Sequence, residues 1–583
     1  MNKISILSLL ASSVMIISCN SNENSTGNNK IAADNPFLKE STLFLQAPAF
    51  DKIKNSDFQP AFEEGIKRQQ DEVKEIAENT AAPTFENTVV ALEKSGQMLG
   101  RVNHAFNVLS STNSNPDLQK LKEEIAPKLT ASNDAIYLNT KLFKRIDTIY
   151  GQRAALKLDP ESEKLLEVYY QQFELAGAKL SEEDKIKLKK LNEEEASLTA
   201  KFTNQLQKDG KDLQNTTQQP KLQDMPDRAA RQKLFEASIN RAEKGDANDT
   251  RKGIQRIAQL RAQKAQLIGF KNYATLKLQD QMAKTPEAVE AFLGKLVPAA
   301  TAKAKGEAKE IQDLIDKQKG GFKLEPWDWN FYSEQVRKAK FNIDESQIKP
   351  YFELNKVLQN GVFYAANQLY GLTFKERHDL PVWQEDVKVF DVMDKDGSQL
   401  ALFYCDYFKR DNKDGGAWMD NIVPQSRLLG TKPVIYNSCN FAKPKAGEPA
   451  LLSFDDVTTM FHEFGHALHG MFASQNYPSI SGTSVARDFV EFPSQFNEHW
   501  ATDPKVLKNY AVHYKTGAVI PQELLDKIKR SGTFNEGYAF TELLAASELD
   551  MQWHMLSATD PLQDVDKFEA AALAKTKVNR PEV

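Results

Sequence analysis

Cysteine is scarce in this sequence of 583 residues: Cys19, Cys405 and Cys439 are the only three. Cys405 and Cys439 could make one disulfide, but their spacing shows none. Both lie in or beside apolar runs, so two buried thiols are expected. Histidine is sparse too, with eight in the chain, which gives weight to any pair at a ligand spacing. No long basic run appears and the formal net charge is −5. That excludes strong nucleic-acid binding, because neutralising phosphates needs clustered Lys and Arg. No repeat of fixed period occurs, which disfavours a solenoid. Gly415-Gly416 lacks the surroundings of a phosphate-binding loop and is expected to be a tight turn.

What is present begins with an export signal. Lys3 precedes an apolar run, Ile4 to Ile17, too short to span a bilayer as a stable helix. The run ends in Ile16-Ile17-Ser18-Cys19, similar to a bacterial lipobox. Residues 1–18 are therefore expected to be a lipoprotein signal, with Cys19 as the lipid anchor. The expected location is the periplasmic face of the bacterial outer membrane. Residues 19–34, rich in Asn and Ser, make a flexible tether that cannot bury a core. The rest, 41% hydrophobic and 27% charged over the whole chain, has ordinary globular composition.

Residues 35–225 form an N-terminal helical region and 226–583 a catalytic region. Ser181-Glu182-Glu183-Asp184 can cap a helix on which Leu191, Leu198 and Phe202 share a face. A second helical stretch runs from Ala229 to about Gln281, its first run ending near Gly269. Between about Val382 and Asn440 the texture changes. Leu400 to Phe408 and Pro433 to Asn437 are short, apolar and aromatic, and predict strands of a small sheet.

The chemistry concentrates after Ser453. Ser453-Phe454-Asp455-Asp456 opens a helix with a capping-box pattern. His462 and His466 follow, four residues apart, which stacks both imidazoles on one helical face. That pair suits two positions of a tetrahedral zinc, and Glu463 can reach a water at the metal without occupying it. The metzincin continuation would need glycine at 469 and histidine at 472; His469 and Phe472 stand there and exclude that branch. A third ligand must come from a later segment. Glu491, flanked by Phe489, Val490 and Phe492, is preferred because an acid in an apolar setting needs a partner. Glu498 is its rival. Asp488 is a candidate helix cap, and Pro493 requires a nearby helix start. His469, Glu498 and His499 are candidates for outer contacts or simple packing.

These residues sit in a chain that resembles the thimet-oligopeptidase family of zinc peptidases. The resemblance rests on PVIYNSCNFAKP, HEFGHALHG and SGTSVARDFVEFPSQFNEHW, with further matches at Leu324 to Trp329, Phe403 to Phe408 and Thr84 to Thr88. It implies a mainly α-helical, two-lobed zincin-type metallopeptidase with a deep channel and a small β-sheet near the active site. It also implies one Zn2+ per chain on His462, His466 and Glu491, with Glu463 as the catalytic carboxylate. Short unfolded peptides would be the substrates and a monomer the working form. Peptidyl-dipeptidase members release dipeptides from free C-termini, and that activity is the expectation here. The alternatives are an endo-acting oligopeptidase of the same family and a catalytically impaired, lipid-anchored peptide-binding protein. The family continues past Asn579-Arg580-Pro581-Glu582-Val583 into a His-, Gly- and Tyr-rich segment that helps bind substrate. This sequence is therefore expected to be truncated, with no residue to assign to that role. Tyr538 is expected to pack rather than to substitute.

Overall fold

The computed structural model describes residues 31–214, 220–342, 345–410 and 412–578. The expectations for the signal, Cys19, most of the tether and the last five residues fall outside them. The protein is mainly α-helical with one small sheet, and it divides into two compact units. Of the described residues, one unit holds those within 180–342 and 522–578, and the other those within 31–179 and 345–521. Among the described residues no helix is long and apolar enough to cross a membrane.

In the first unit the expected cap forms: the Asp184 N–H donates to Ser181 Oγ at 3.1 Å, opening helix Glu182–Gln214. Helix Arg251–Ile268 ends on Gly269, whose φ of +101° is the left-handed conformation glycine takes without strain. Helices Pro286–Lys317 and Glu536–His554 meet at Gly537, where a Cβ would stand 2.4 Å from the Ala304 nitrogen. Glu307 accepts from the Gly537 and Tyr538 N–H groups there. Tyr538 stacks on the fully buried Trp329 at 4.3 Å, a packing role. Asp328, also fully buried, takes hydrogen bonds from Arg228 and Arg231. The Leu324 to Trp329 run therefore supplies scaffold, with its acid neutralised by two guanidinium groups.

The second unit holds the sheet: β1 Thr373–Arg377, β2 Lys388–Met393, β3 Gln399–Phe408, β4 Trp418–Val423 and β5 Val434–Phe441. Their order is β1-β2-β3-β5-β4, with β3 and β5 parallel and every other pair antiparallel. β3 and β5 are the two strands expected from sequence, and they are the buried centre. One face of the sheet carries Leu402, Tyr404, Val434 and Tyr436 into a core with Phe50, Val108 and Trp383. The other presents Phe403 to Phe363 and Phe464. Cys405 and Cys439 are buried free thiols. Gly416, at φ +89°, turns the chain into β4. β1, β2 and β4 are less apolar, and their pairing could not be read from composition.

Candidate metal centre

Ser453 opens the helix that carries the site. Its hydroxyl accepts from the Asp456 N–H at 3.1 Å, and the Asp456 carboxylate accepts from the Ser453 N–H at 2.9 Å. The helix runs Phe454–Met471 and buries Val457, Phe461, Phe464, Ala467 and Met471. Phe464 lies 5.5 Å from the ring of Phe403 on β3, which fixes the helix's rotation about its own axis. With that rotation set, His462 and His466 project from the opposite side, their rings 5.0 Å apart.

A short helix, Glu491–Glu498, lies across the first at its glycine. A Cβ on Gly465 would stand 2.6 Å from Ser494 Cα, 2.8 Å from Asn497 Cβ and 2.9 Å from Pro493 O. Only glycine admits this approach. Asn497 then reaches the first helix directly, its Nδ2 donating to Phe461 O at 2.6 Å. The short helix starts at Glu491, with Val490 at its cap position making no side-chain cap bond. Pro493 sits in the first turn, where its missing N–H costs nothing.

This crossing delivers Glu491 to the histidines. Its Oε2 is 3.2 Å from His462 Nε2 and 3.1 Å from His466 Nε2. Ser494 Oγ holds the same oxygen at 2.9 Å. On the far side of His462, Nδ1 meets Glu498 Oε1 at 2.7 Å. Glu498 therefore orients a histidine and lies outside the cluster. The apolar neighbours of Glu491 do not bury it: Phe492 is 63% exposed, and the Glu491 side chain is 53% exposed. Convergence of the two helices, rather than an apolar setting, is what brings it to the histidines.

The electrostatics are those of a site short of positive charge. Hydrogen bonds from His462 and His466 hold the Glu491 carboxyl well below the usual range, against a smaller opposing effect of burial. Burial pushes the His462 imidazole down, but its bonds to Glu491 and Glu498 outweigh that together and raise it to about 9. Glu463 is 4% exposed. Burial pushes its carboxyl up to about 7, although the nearby His462 and His466 pull the other way. One of its oxygens, Oε2, is buried with no hydrogen-bond partner among the described residues. His469 is half-buried beside the cluster, its Nδ1 unpartnered. His499 is exposed, edge-on to Phe496.

A metal ion fits these donors. One atom from each of His462, His466 and Glu491 lies within 4.8 Å of the others. Ligands at about 2.0–2.1 Å around one tetrahedral ion stand roughly 3.3–3.5 Å apart, close to the two separations above. Two imidazoles share one carboxylate oxygen where a cation would take its place. Gly465, Ser494 and Asn497 were missed in the sequence. Their signal was the small residue beside His466 and the three-residue spacing of Glu491, Ser494 and Asn497.

A helix bearing His-Glu-x-x-His against a sheet, joined by a carboxylate from a following helix, defines a metallopeptidase. Comparison with known proteins gives the family. The pattern of peptidase family M3 matches residues 221–582, more than half of the chain, and the protein belongs to that family. It is 50% identical to the dipeptidyl carboxypeptidase of Escherichia coli K12, over 94% of this chain and 86% of that one. It is 30% identical to oligopeptidase A of the same organism, over 88% and 82%. Among solved structures, PZ peptidase A with an inhibitor aligns over 90% of this chain and 81% of that one, at 14% identity and a TM-score of 0.48.

Proposed function

We propose that this protein is a zinc-dependent peptidyl-dipeptidase that releases dipeptides from the free C-termini of short peptides. The observation that carries this reading is the 50% identity to a dipeptidyl carboxypeptidase across 94% of the chain. The metal centre supports it, since two imidazoles and one carboxylate suit zinc. His462, His466 and Glu491 would hold the ion. When bound, zinc supplies Lewis acidity that polarises a peptide carbonyl and acidifies water.

The chain's own residues do the rest. Glu463, one step round the helix from the ligands, takes the proton of the attacking water and passes it to the leaving amine. In the metal-free protein burial raises this carboxyl to about 7, above the ordinary carboxylate range. Glu498 fixes the His462 ring through Nδ1, which leaves Nε2 aimed at the metal. Loading the ion must displace the proton that the two carboxylates favour on His462, so uptake is expected to strengthen as pH rises toward 9.

Product analysis on one hexapeptide with a free and an amidated C-terminus tests the specificity. Sequential release of dipeptides from the free form alone is expected. Equal cleavage of both forms would replace this reading with an endo-acting oligopeptidase, and binding without turnover would replace it with a peptide-binding protein. We also propose export and lipid attachment at Cys19, supported by the Lys3 to Cys19 pattern. Radiolabelled palmitate fed to cells should mark the wild type and not Cys19→Ala.

A further inference from the structure

The Thr84 to Thr88 run, one of the segments that resemble the family, contributes no ligand to the metal centre. Locally it starts a helical turn: Thr84 Oγ1 accepts from the Asn87 N–H at 3.1 Å, and Asn87 Oδ1 accepts from the Thr84 N–H at 2.9 Å. Arg145 fixes that turn, donating to Asn87 Oδ1 at 2.8 Å and to Thr88 Oγ1 at 3.2 Å. The turn presents Phe85 and, further on, Glu93. Both meet one segment, the loop 472–490 that joins the two ligand-bearing helices. Every residue named in this contact belongs to the same compact unit.

Tyr477 anchors that loop. Among the described residues it is the one buried member that the core of the N-terminal helices takes from outside residues 73–178. Its ring lies edge-on to Phe85 at 6.0 Å, and its hydroxyl shares a hydrogen bond with Ser162 at 2.8 Å. Two acids hold the backbone beside it. Glu161 accepts from the Asn476 and Tyr477 N–H groups and, at 3.0 Å, from the Asn476 carboxamide. Glu93 is 3% exposed and uses both oxygens, one for the Tyr169 hydroxyl at 2.7 Å and one for the Ser479 N–H at 3.2 Å. A carboxylate this deep is costly unless bonded, and its bonds to backbone N–H groups are of the stronger, charge-assisted kind. The connection from β4 to β5 holds the same segment: Ser426 Oγ donates to Asn476 O at 2.7 Å, and Gln425 Oε1 accepts from the Ser481 hydroxyl at 2.6 Å. Gly482, at φ +57°, then brings the chain back against the last turn of the metal helix, where its Cβ would stand 3.4 Å from Gly470 Cα.

The loop is thus fixed at its middle, and only Thr483 to Val490 separate the fixed part from Glu491. A connection as long as 472–490 held only at its ends would tether Glu491 loosely. The two histidines, one turn apart on a single helix, need no such tether. We infer that the N-terminal helices, which precede the residues 221–582 matched by the family pattern, brace the metal centre. Glu93, Glu161 and Tyr477 are its positioning residues, acting on the ion through Glu491 and not through the histidines. The inference rests on the ligand set assigned above and is indifferent to which peptides are cleaved.

A double-mutant cycle on zinc affinity tests it, with each Kd measured on the full chain by competition with a chelating dye. Glu161→Ala should weaken zinc binding by about threefold to tenfold, since doubling a free loop alone is worth about threefold and partners outside the ligands reach tenfold. In a Glu491→Gln background the same substitution should leave Kd unchanged, because the group it positions is gone. Glu161→Gln keeps an acceptor for the two N–H groups and should bind zinc as wild type does. The visible bands of the cobalt-loaded protein should shift in Glu161→Ala and return in Glu161→Gln. Tyr477→Phe keeps the ring in its core, removes one hydroxyl and should cost about twofold to threefold, again only where Glu491 is present; it carries the cycle if Glu161→Ala does not fold. Unchanged zinc affinity in the variants that fold, whatever their melting temperature, would overturn the brace. Equal losses in the two backgrounds would do the same, and both results leave the ligand set standing. A Glu491→Gln chain that binds zinc like wild type would overturn the ligand set, and with it the brace's action on the ion.

Discussion

Glu195 and Glu463 are both almost out of water, at 2% and 4% exposed, yet their carboxyls are driven in opposite directions. For each, burial is the largest influence and pushes the acid up. At Glu195 the neighbours outweigh it. Arg261 Nε donates to one oxygen at 2.7 Å and Lys264 Nζ to the other at 2.6 Å, and the carboxyl ends below its ordinary value. At Glu463 no cation among the described residues holds the carboxylate directly. One oxygen has no partner, and the group ends near 7. The first is an acid whose charge the fold has finished neutralising; the second is left for a ligand or a proton to complete. Burial alone does not separate structural from functional charge, whereas the state of each oxygen does.

The sharpest way to break the contrast is to remove each charge in turn. Glu463→Gln should lower kcat by about a thousandfold, as loss of a general base does, with little loss of stability; steady-state cleavage and thermal melting check both. Glu195→Gln should do the opposite. It leaves Arg261 and Lys264 buried beside a neutral amide, at about 3–5 kcal/mol in denaturant unfolding. A Glu195→Gln variant that melts like wild type would mean the cluster contributes nothing.

Smaller effects sharpen the same comparison. Gly465→Ala forces the Glu491 helix away from backbone atoms that cannot yield, at about 1–3 kcal/mol of stability. Its zinc affinity should fall with it, measurable by competition with a chelating dye. The two glutamates should also tilt the pH profile of the metal-free protein in opposite senses. Glu195, lowered on folding, contributes stability that is present above pH 4.5 and lost as pH falls through its folded value. Glu463, raised on folding, contributes stability that is present below pH 4.5 and lost as pH rises through about 7. Metal-free Glu463→Gln should therefore gain on wild type between pH 4.5 and 7, by on the order of 1–3 kcal/mol. Unfolding midpoints of the two proteins across that range decide it.

How much of this was legible depended on whether the signal was local. His462, Glu463 and His466 follow from one helical period, Ser453 from its cap, and β3 and β5 from continuous apolar runs. Glu491 does lie with the two histidines, but not for the reason its sequence suggests, because flanking phenylalanines do not say which way they point. Gly465 passed unnoticed because its role lies in what a second helix needs, 26 to 32 positions further on, and no single stretch of sequence displays that. The outer strands β1, β2 and β4 were unreadable for a similar cause: edge and near-edge strands owe their form to partners. Glu195 gave no sign at all, since the lysines and arginines around it look like any solvated helix face.

The central claim is that Glu491 holds the metal and Glu463 does not. Zinc content per chain in Glu463→Gln and Glu491→Gln, measured side by side after equilibration with limiting zinc, tests it most directly. One zinc per chain in the first and a large loss in the second is the predicted result. Loss of zinc from Glu463→Gln, or its full retention in Glu491→Gln, would contradict the account.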